Sequence, residues 1–100
     1  MKPFEYDNIK YYTCDEVYPP AEDTFLLIDN LNVKDTDNIL EIGVGTGIVS
    51  IIASLTGEKV TCVDINPNAI ECTKKNVKLN NRDNITVLSS NLFFSIPITP

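Results

Sequence analysis

The sequence predicts an α/β fold, with parallel strands joined by helices in one small domain. Three observations predict it. Short apolar runs recur between polar breaks, at Ile39–Ile42, Val60–Asp64 and Ile85–Leu88. Segments with helical spacing and helix end signals lie between these runs. A glycine-rich turn, Gly43-Val44-Gly45-Thr46-Gly47, joins the first run to the helical segment behind it. Strands alternating with helices imply right-handed crossovers and a parallel sheet. Strands this apolar on both faces expect helices covering both.

Taken in order, Met1 to Pro20 is mixed, with aromatics at Phe4, Tyr6, Tyr11, Tyr12 and Tyr18. Ala21 to Leu31 reads as a helix. Pro20 precedes it, Glu22 and Asp23 suit its first turn, and Phe25, Leu27, Ile28 and Leu31 give it an apolar face. Asn32 to Asp37 is a polar loop. Ile39 to Ile42 is the first strand of the alternating series. Gly47 to Leu55 is a helix closed by Gly57. Val60 to Asp64 is the second strand and Pro67 to Leu79 a helix. Asn66 is placed to cap that helix and Pro67 fits its first turn. Asn80-Asn81-Arg82-Asp83 breaks the pattern before the third strand, Ile85 to Leu88.

Composition bounds the function. The 100 residues allow one small domain, and an apolar share of 43% is that of a globular chain. A net charge of −6 argues against a broad nucleic-acid surface, which needs clustered Lys and Arg. No histidine is present, which removes a His-based triad and the commonest metal ligand. No long apolar run reads as a membrane span and no signal peptide is evident. The cysteines Cys14, Cys62 and Cys72 form no CxxC pair. Their odd number suits free, mostly buried thiols in a reducing, cytoplasmic setting.

The glycine turn carries the chemistry. A strand, a glycine turn and a helix let the backbone approach a ligand closely. A dinucleotide fingerprint needs glycine at the first, third and sixth positions. Counted from Gly43, the third is Gly45 but the sixth is Ile48. Glu41 lies two residues before the first glycine, and a pyrophosphate would disfavour a carboxylate there. Asp64 ends the second strand, beside the first glycine turn. A carboxylate at that point can accept the ribose hydroxyls of an adenosine. The bland alternatives are a tight turn without a ligand and a turn or cap acid.

With glycine at every second position behind an acid, Glu41–Gly47 resembles the cofactor loop of class I S-adenosylmethionine (SAM) methyltransferases. The implied fold is Rossmann-like. Val17-Tyr18-Pro19-Pro20-Ala21-Glu22-Asp23-Thr24-Phe25-Leu26-Leu27 narrows the resemblance to HemK-type enzymes. It is most similar to the eukaryotic and archaeal branch that methylates the glutamine of the GGQ motif in class I translation release factors. Asp64-Ile65-Asn66-Pro67 and Ser90-Asn91-Leu92-Phe93 follow in that family's order, so the resemblance runs from Val17 to Phe93. It implies that Thr24, Glu41 and Gly43 line the methionine end of SAM, with Gly45 and Gly47 completing the loop. It implies further that Asp64 holds the ribose and Asn91 faces the adenine amino group. The family usually has aspartate where this chain has Asn91. Asparagine still offers a carbonyl acceptor.

The family's (Asn/Asp)-Pro-Pro-Tyr motif, which holds the target glutamine amide, does not occur in these residues. No catalytic residue is therefore assigned, and methyl transfer by this chain alone is not expected. The chain reads as the N-terminal half of one methyltransferase domain. The first strand would then stand at an open sheet edge, and the short third strand at the other. A helix or loop from Phe4 to Tyr12 could instead fold over an edge. The resemblance implies a heterodimer with a small zinc-binding activator protein. Two alternatives stand beside it. One is a same-fold methyltransferase acting on another amide or exocyclic amine, including those of nucleic-acid bases. The other is a non-catalytic binding module.

Overall fold

A computed structural model of the chain describes residues 2–89. Its elements are β1 (Phe4–Tyr6), β2 (Ile9–Tyr11), α1 (Glu22–Asp29), β3 (Asn38–Ile42), α2 (Ile48–Ser54), β4 (Lys59–Asp64), α3 (Pro67–Leu79) and β5 (Ile85–Ser89). The strands β3, β4 and β5 form a parallel sheet in that order, with Leu40 level with Thr61 and Thr86. This is the Rossmann-like arrangement expected from the alternating pattern, with each strand and helix within two residues of its predicted bounds.

Among the described residues, helices cover one face of the sheet, not both. Both crossovers advance the sheet in the same direction, and right-handed connections then place α2 and α3 on one side. They pack on each other and on β4. Ile51, Val60 and Cys62 are wholly buried in that interface. On the opposite face Leu40 is 54%, Ile42 56% and Leu88 45% exposed. The expectation of two covered faces came from strand hydropathy, which does not say where the covering residues lie in the chain.

The N-terminal segment, expected only to be mixed, is a β-hairpin. Asp7 and Asn8 turn it with φ of 47° and 68°, the left-handed pair a tight two-residue hairpin turn requires. It packs on α2 and α3, with Ile9 and Tyr11 buried beside Ile28, Ile48 and Ile51. Tyr6 fastens it to α1, stacking near Phe25 and donating its hydroxyl to Asp29 Oδ1 at 2.6 Å.

The end of α2 is held by residues from the β5 approach. Arg82 Nη2 and Asn84 Nδ2 each donate to the Ser54 carbonyl at 2.9 Å. Gly57 follows α2 as predicted, but for a different reason than a left-handed cap. A Cβ there would lie 2.7 Å from Ile39 Cδ1 and 3.2 Å from the Ala53 carbonyl, so crowding selects glycine.

Cysteine usage is also corrected. Cys14 and Cys72 are joined in a disulfide across 58 residues, with Cα atoms 6.1 Å apart, and only Cys62 is free and buried. The chain beyond β2 runs along α3 and brings Cys14 to it. Nothing in cysteine spacing announces that path.

Candidate functional site

The C-terminal ends of β3 and β4 meet at the glycine turn. Gly43, Gly45 and Gly47 all have left-handed φ, at 78°, 56° and 86°. Side-chain-bearing residues rarely adopt this region, which explains glycine at every second position. The three glycines have different surroundings. At Gly43 a Cβ would meet nothing within 4 Å, so its outer face is open. At Gly45 the nearest such atom is the Tyr18 carbonyl at 3.7 Å. At Gly47 a Cβ would lie 2.7 Å from Thr73 Cγ2. Gly47 therefore serves close packing of the turn on α3.

A cleft of about 270 Å³ lies over the open side of the turn. Thr24, Glu41, Gly43 and Gly45 line it together, as do Tyr18, Pro19 and Asp23. Thr24 Oγ1 also accepts the Ala21 N–H at 3.2 Å, so one hydroxyl both caps α1 and faces the cleft. Glu41 takes a hydrogen bond from Ser50 Oγ on α2. Burial pushes its carboxyl up to about 7, with a smaller push from the Asp64 carboxylate. The same buried layer pushes the Cys62 thiol up to about 11, so it is no nucleophile at neutral pH.

Asp64 lies behind the turn. Its Oδ2 accepts the Val44 N–H at 3.0 Å and the Gly45 N–H at 3.4 Å, and its Oδ1 accepts the Asn66 N–H at 2.9 Å. Asn66 caps α3 through the Asn68 N–H at 2.9 Å, as the sequence predicts. Asp64 is thus not left free for a ligand by that cap. It holds the turn, and its Oδ1, with one donor, keeps acceptor capacity for a further one. Asn91 lies outside the described residues.

Two buried polar residues on α3 complete the support and were missed in the sequence. Thr73 Oγ1 donates to the Gly45 carbonyl at 3.0 Å, and Asn76 Nδ2 to the Thr46 carbonyl at 2.9 Å. The signal available was polar residues at helical spacing on the face predicted to be buried. Among the described residues no cluster of His, Cys, Asp and Glu could hold a metal ion, and no helix is long and apolar enough to cross a membrane.

A parallel α/β sheet with a glycine turn beside Glu41 and fastened by Asp64 is the Rossmann-like arrangement of class I methyltransferases. Comparison with known proteins agrees. A family model described as ribosomal protein L11 methyltransferase (PrmA) matches residues 22–96. A protein of Methanocaldococcus jannaschii, provisionally named as a protein N5-glutamine methyltransferase, is 49% identical over 94 residues. The match covers 92% of this chain and 47% of that protein. Human methyltransferase HEMK2 is 42% identical over 73 residues, covering 65% of this chain and 34% of HEMK2. The solved structure of M. jannaschii tRNA m1G37 methyltransferase matches with a TM-score of 0.70 at 25% identity, over 86% of this chain and 28% of that one. The chain belongs to the PrmA family of methyltransferases, as the N-terminal portion of a HemK-type member. Its cofactor is S-adenosylmethionine. The chain spans about half the length, or less, of the curated relatives it matches.

Proposed function

We propose that this chain is the SAM-binding half of a protein glutamine N5-methyltransferase domain. The carrying observation is the open face of Gly43 beside the buried carboxyl of Glu41, with Asp64 fastened behind the turn. The fit is chemical as well as steric. The methionine end of SAM carries an ammonium group, and Glu41 is a buried carboxyl lacking a cationic partner among the described side chains. On binding, the ammonium would supply the partner that keeps Glu41 ionised. Thr24 would line the same end, and the spare acceptor capacity of Asp64 would take the ribose hydroxyls. Asn91 would accept from the adenine amino group. The cofactor supplies an electrophilic methyl group. The residues named here bind and orient it, and none of them moves a proton in the transfer.

The methyl acceptor is the finer part of the proposal. The name of the M. jannaschii relative supports a protein glutamine as acceptor, and the Val17–Leu27 resemblance points to the GGQ glutamine of a class I release factor. The cellular setting would be cytoplasmic. A small zinc-binding activator protein would pair with the enzyme, and the exposed Leu40, Ile42 and Leu88 offer apolar surface for the remainder of the domain. Recognition of the glutamine amide falls to an Asn-Pro-Pro-Tyr motif that these 100 residues lack, so they should transfer no methyl group unaided.

Calorimetric titration with SAM, its demethylated product and NAD tests the cofactor site. SAM and its product should bind and NAD should not. Tighter binding of NAD would sink the reading.

A further inference from the structure

We propose that Asn76 is a positioning residue of the cofactor site, through which docking of the N-terminal hairpin and binding at the glycine turn support each other. The proposal rests on the SAM reading above. It starts from an arrangement that joins β2 to α3 without a strand neighbour. The Asn80 carboxamide accepts the Lys10 N–H at 3.0 Å and donates to the Lys10 carbonyl at 2.6 Å. The Asn76 carboxamide accepts the Tyr12 N–H at 2.7 Å and donates to the Tyr12 carbonyl at 3.0 Å. Each side chain thus trades two hydrogen bonds with one residue, as a partner residue does in an antiparallel ladder.

The spacing explains why two asparagines can do this. Four residues of helix advance about 6.0 Å. Two residues of strand advance about 6.6 Å. Asn76 and the α3 C-cap Asn80, four residues apart, therefore stay in phase with Tyr12, just past β2, and Lys10, two residues apart. β1 takes the other edge of β2, pairing Glu5 with Lys10 and Tyr6 with Ile9. The helix side chains thus complete a strand that β1 serves on one side only.

The two asparagines differ in one bond. Asn80 spends its remaining N–H on its own helix, at the Asn76 carbonyl, 2.8 Å away. Asn76 spends its remaining N–H on the Thr46 carbonyl, inside the glycine turn, at 2.9 Å. Asn76 is fully buried, so neither of those carbonyls finds water in its place. One planar amide thereby fixes the Tyr12 peptide relative to the Thr46–Gly47 peptide. A hairpin that undocks releases Thr46, and a turn ordered by cofactor holds Asn76 against Tyr12. Binding linkage requires the effect to run equally in both directions.

The test compares Asn76→Asp with Asn80→Ala in the whole chain, measuring SAM affinity by calorimetry and folding by thermal melting. Aspartate keeps the acceptor for the Tyr12 N–H but sets a bare oxygen against the Tyr12 and Thr46 carbonyls. At a temperature where both variants are folded, Asn76→Asp should bind SAM at least about tenfold more weakly than the parent. Asn80→Ala should lower the melting temperature but leave affinity within about twofold, because its bonds reach the hairpin and its own helix but not the glycine turn. Equal affinities for Asn76→Asp and the parent would overturn the proposal. Should Asn76→Asp fail to fold, the parent protein supplies the answer. Saturating SAM should slow amide exchange at Tyr12, and unchanged Tyr12 exchange would overturn the proposal just as firmly. If the parent binds no SAM, the cofactor reading fails and this one with it. If the parent binds and only the Asn76 effects are missing, this one alone fails.

Discussion

The ends of β3 and β4 each present an acid to the same turn, and the fold treats the two differently. Asp64 accepts three backbone N–H groups, from Val44, Gly45 and Asn66. Among the described residues Glu41 has only Ser50 as a hydrogen-bond partner, and burial pushes its carboxyl up. The β4 side of the site is therefore wired in advance, and the β3 side carries an unbalanced buried carboxyl. The glycines follow the same division. Gly47 is packed against Thr73 on the wired side, and Gly43 faces open space beside Glu41. An acid bonded three times to its own backbone builds the site. An acid left short of partners is stabilised by a ligand of opposite charge.

The largest expected effect is at Glu41. Its pKa rises on folding from 4.5 to about 7. Below the unfolded value the carboxyl is neutral in both states and costs nothing. Stability is then lost as pH rises from about 4.5 through about 7, by on the order of 3 kcal/mol. Glu41→Gln should therefore match the parent near pH 4 and exceed it at pH 8, by an amount of that order. The same variant should bind SAM more weakly. Denaturant melts across pH, with a cofactor titration at pH 8, check both signs. A variant less stable than the parent at pH 8 would erase the contrast between the two acids.

Asp64 should behave in the opposite sense. Asp64→Ala removes the acceptor of three backbone hydrogen bonds and should lower both stability and SAM affinity. The affinity loss should be about 1.5–3 kcal/mol, the scale of hydrogen bonds to a charged group. Titration and melting of one variant suffice, and unchanged affinity would remove Asp64 from the site.

The glycines give the smallest and sharpest comparison. Both have left-handed φ, so alanine at either costs about 1–2 kcal/mol from the backbone alone. Gly47→Ala adds a collision with Thr73 and should be the less stable of the two. Gly43→Ala adds no collision within the chain and should instead harm SAM binding more. Equal ratios of affinity loss to stability loss would break the division of the turn into two sides.

The alternating core was legible because its signals are local. Asn66-Pro67 starts α3, the apolar runs are strand-length, and the glycines punctuate β3 and α2. The family resemblance, rather than any local pattern, implied that Thr24, Glu41, Gly43 and Gly45 share one site, and the four line one cleft. The misses depend on what the chain meets later. β1 and β2 have three residues each, too short for a period, although Asp7-Asn8 is a turn signal between alternating residues. Asp64 was read as free because its donors, Val44 and Gly45, lie 20 and 19 residues away. Gly47 looked like its neighbours until Thr73 stood behind it. Asn76 left a fainter trace, since asparagine inside a helix is unfavourable unless its side chain has work elsewhere.

The paired carboxamides on α3 also constrain how this sequence can change in length over evolution. A residue inserted between Lys10 and Tyr12 would turn one of those peptides away from α3, because strand backbone alternates its direction at each residue. A residue inserted between Asn76 and Asn80 would swing one amide about 100° around the helix. Neither insertion can be repaired by the other, since the matching units are two residues of strand and four of helix. The Asp7-Asn8 turn lies beyond the last amide and is free of that rule. Length variation among relatives should therefore gather at the hairpin tip and avoid the span from Lys10 to Tyr12.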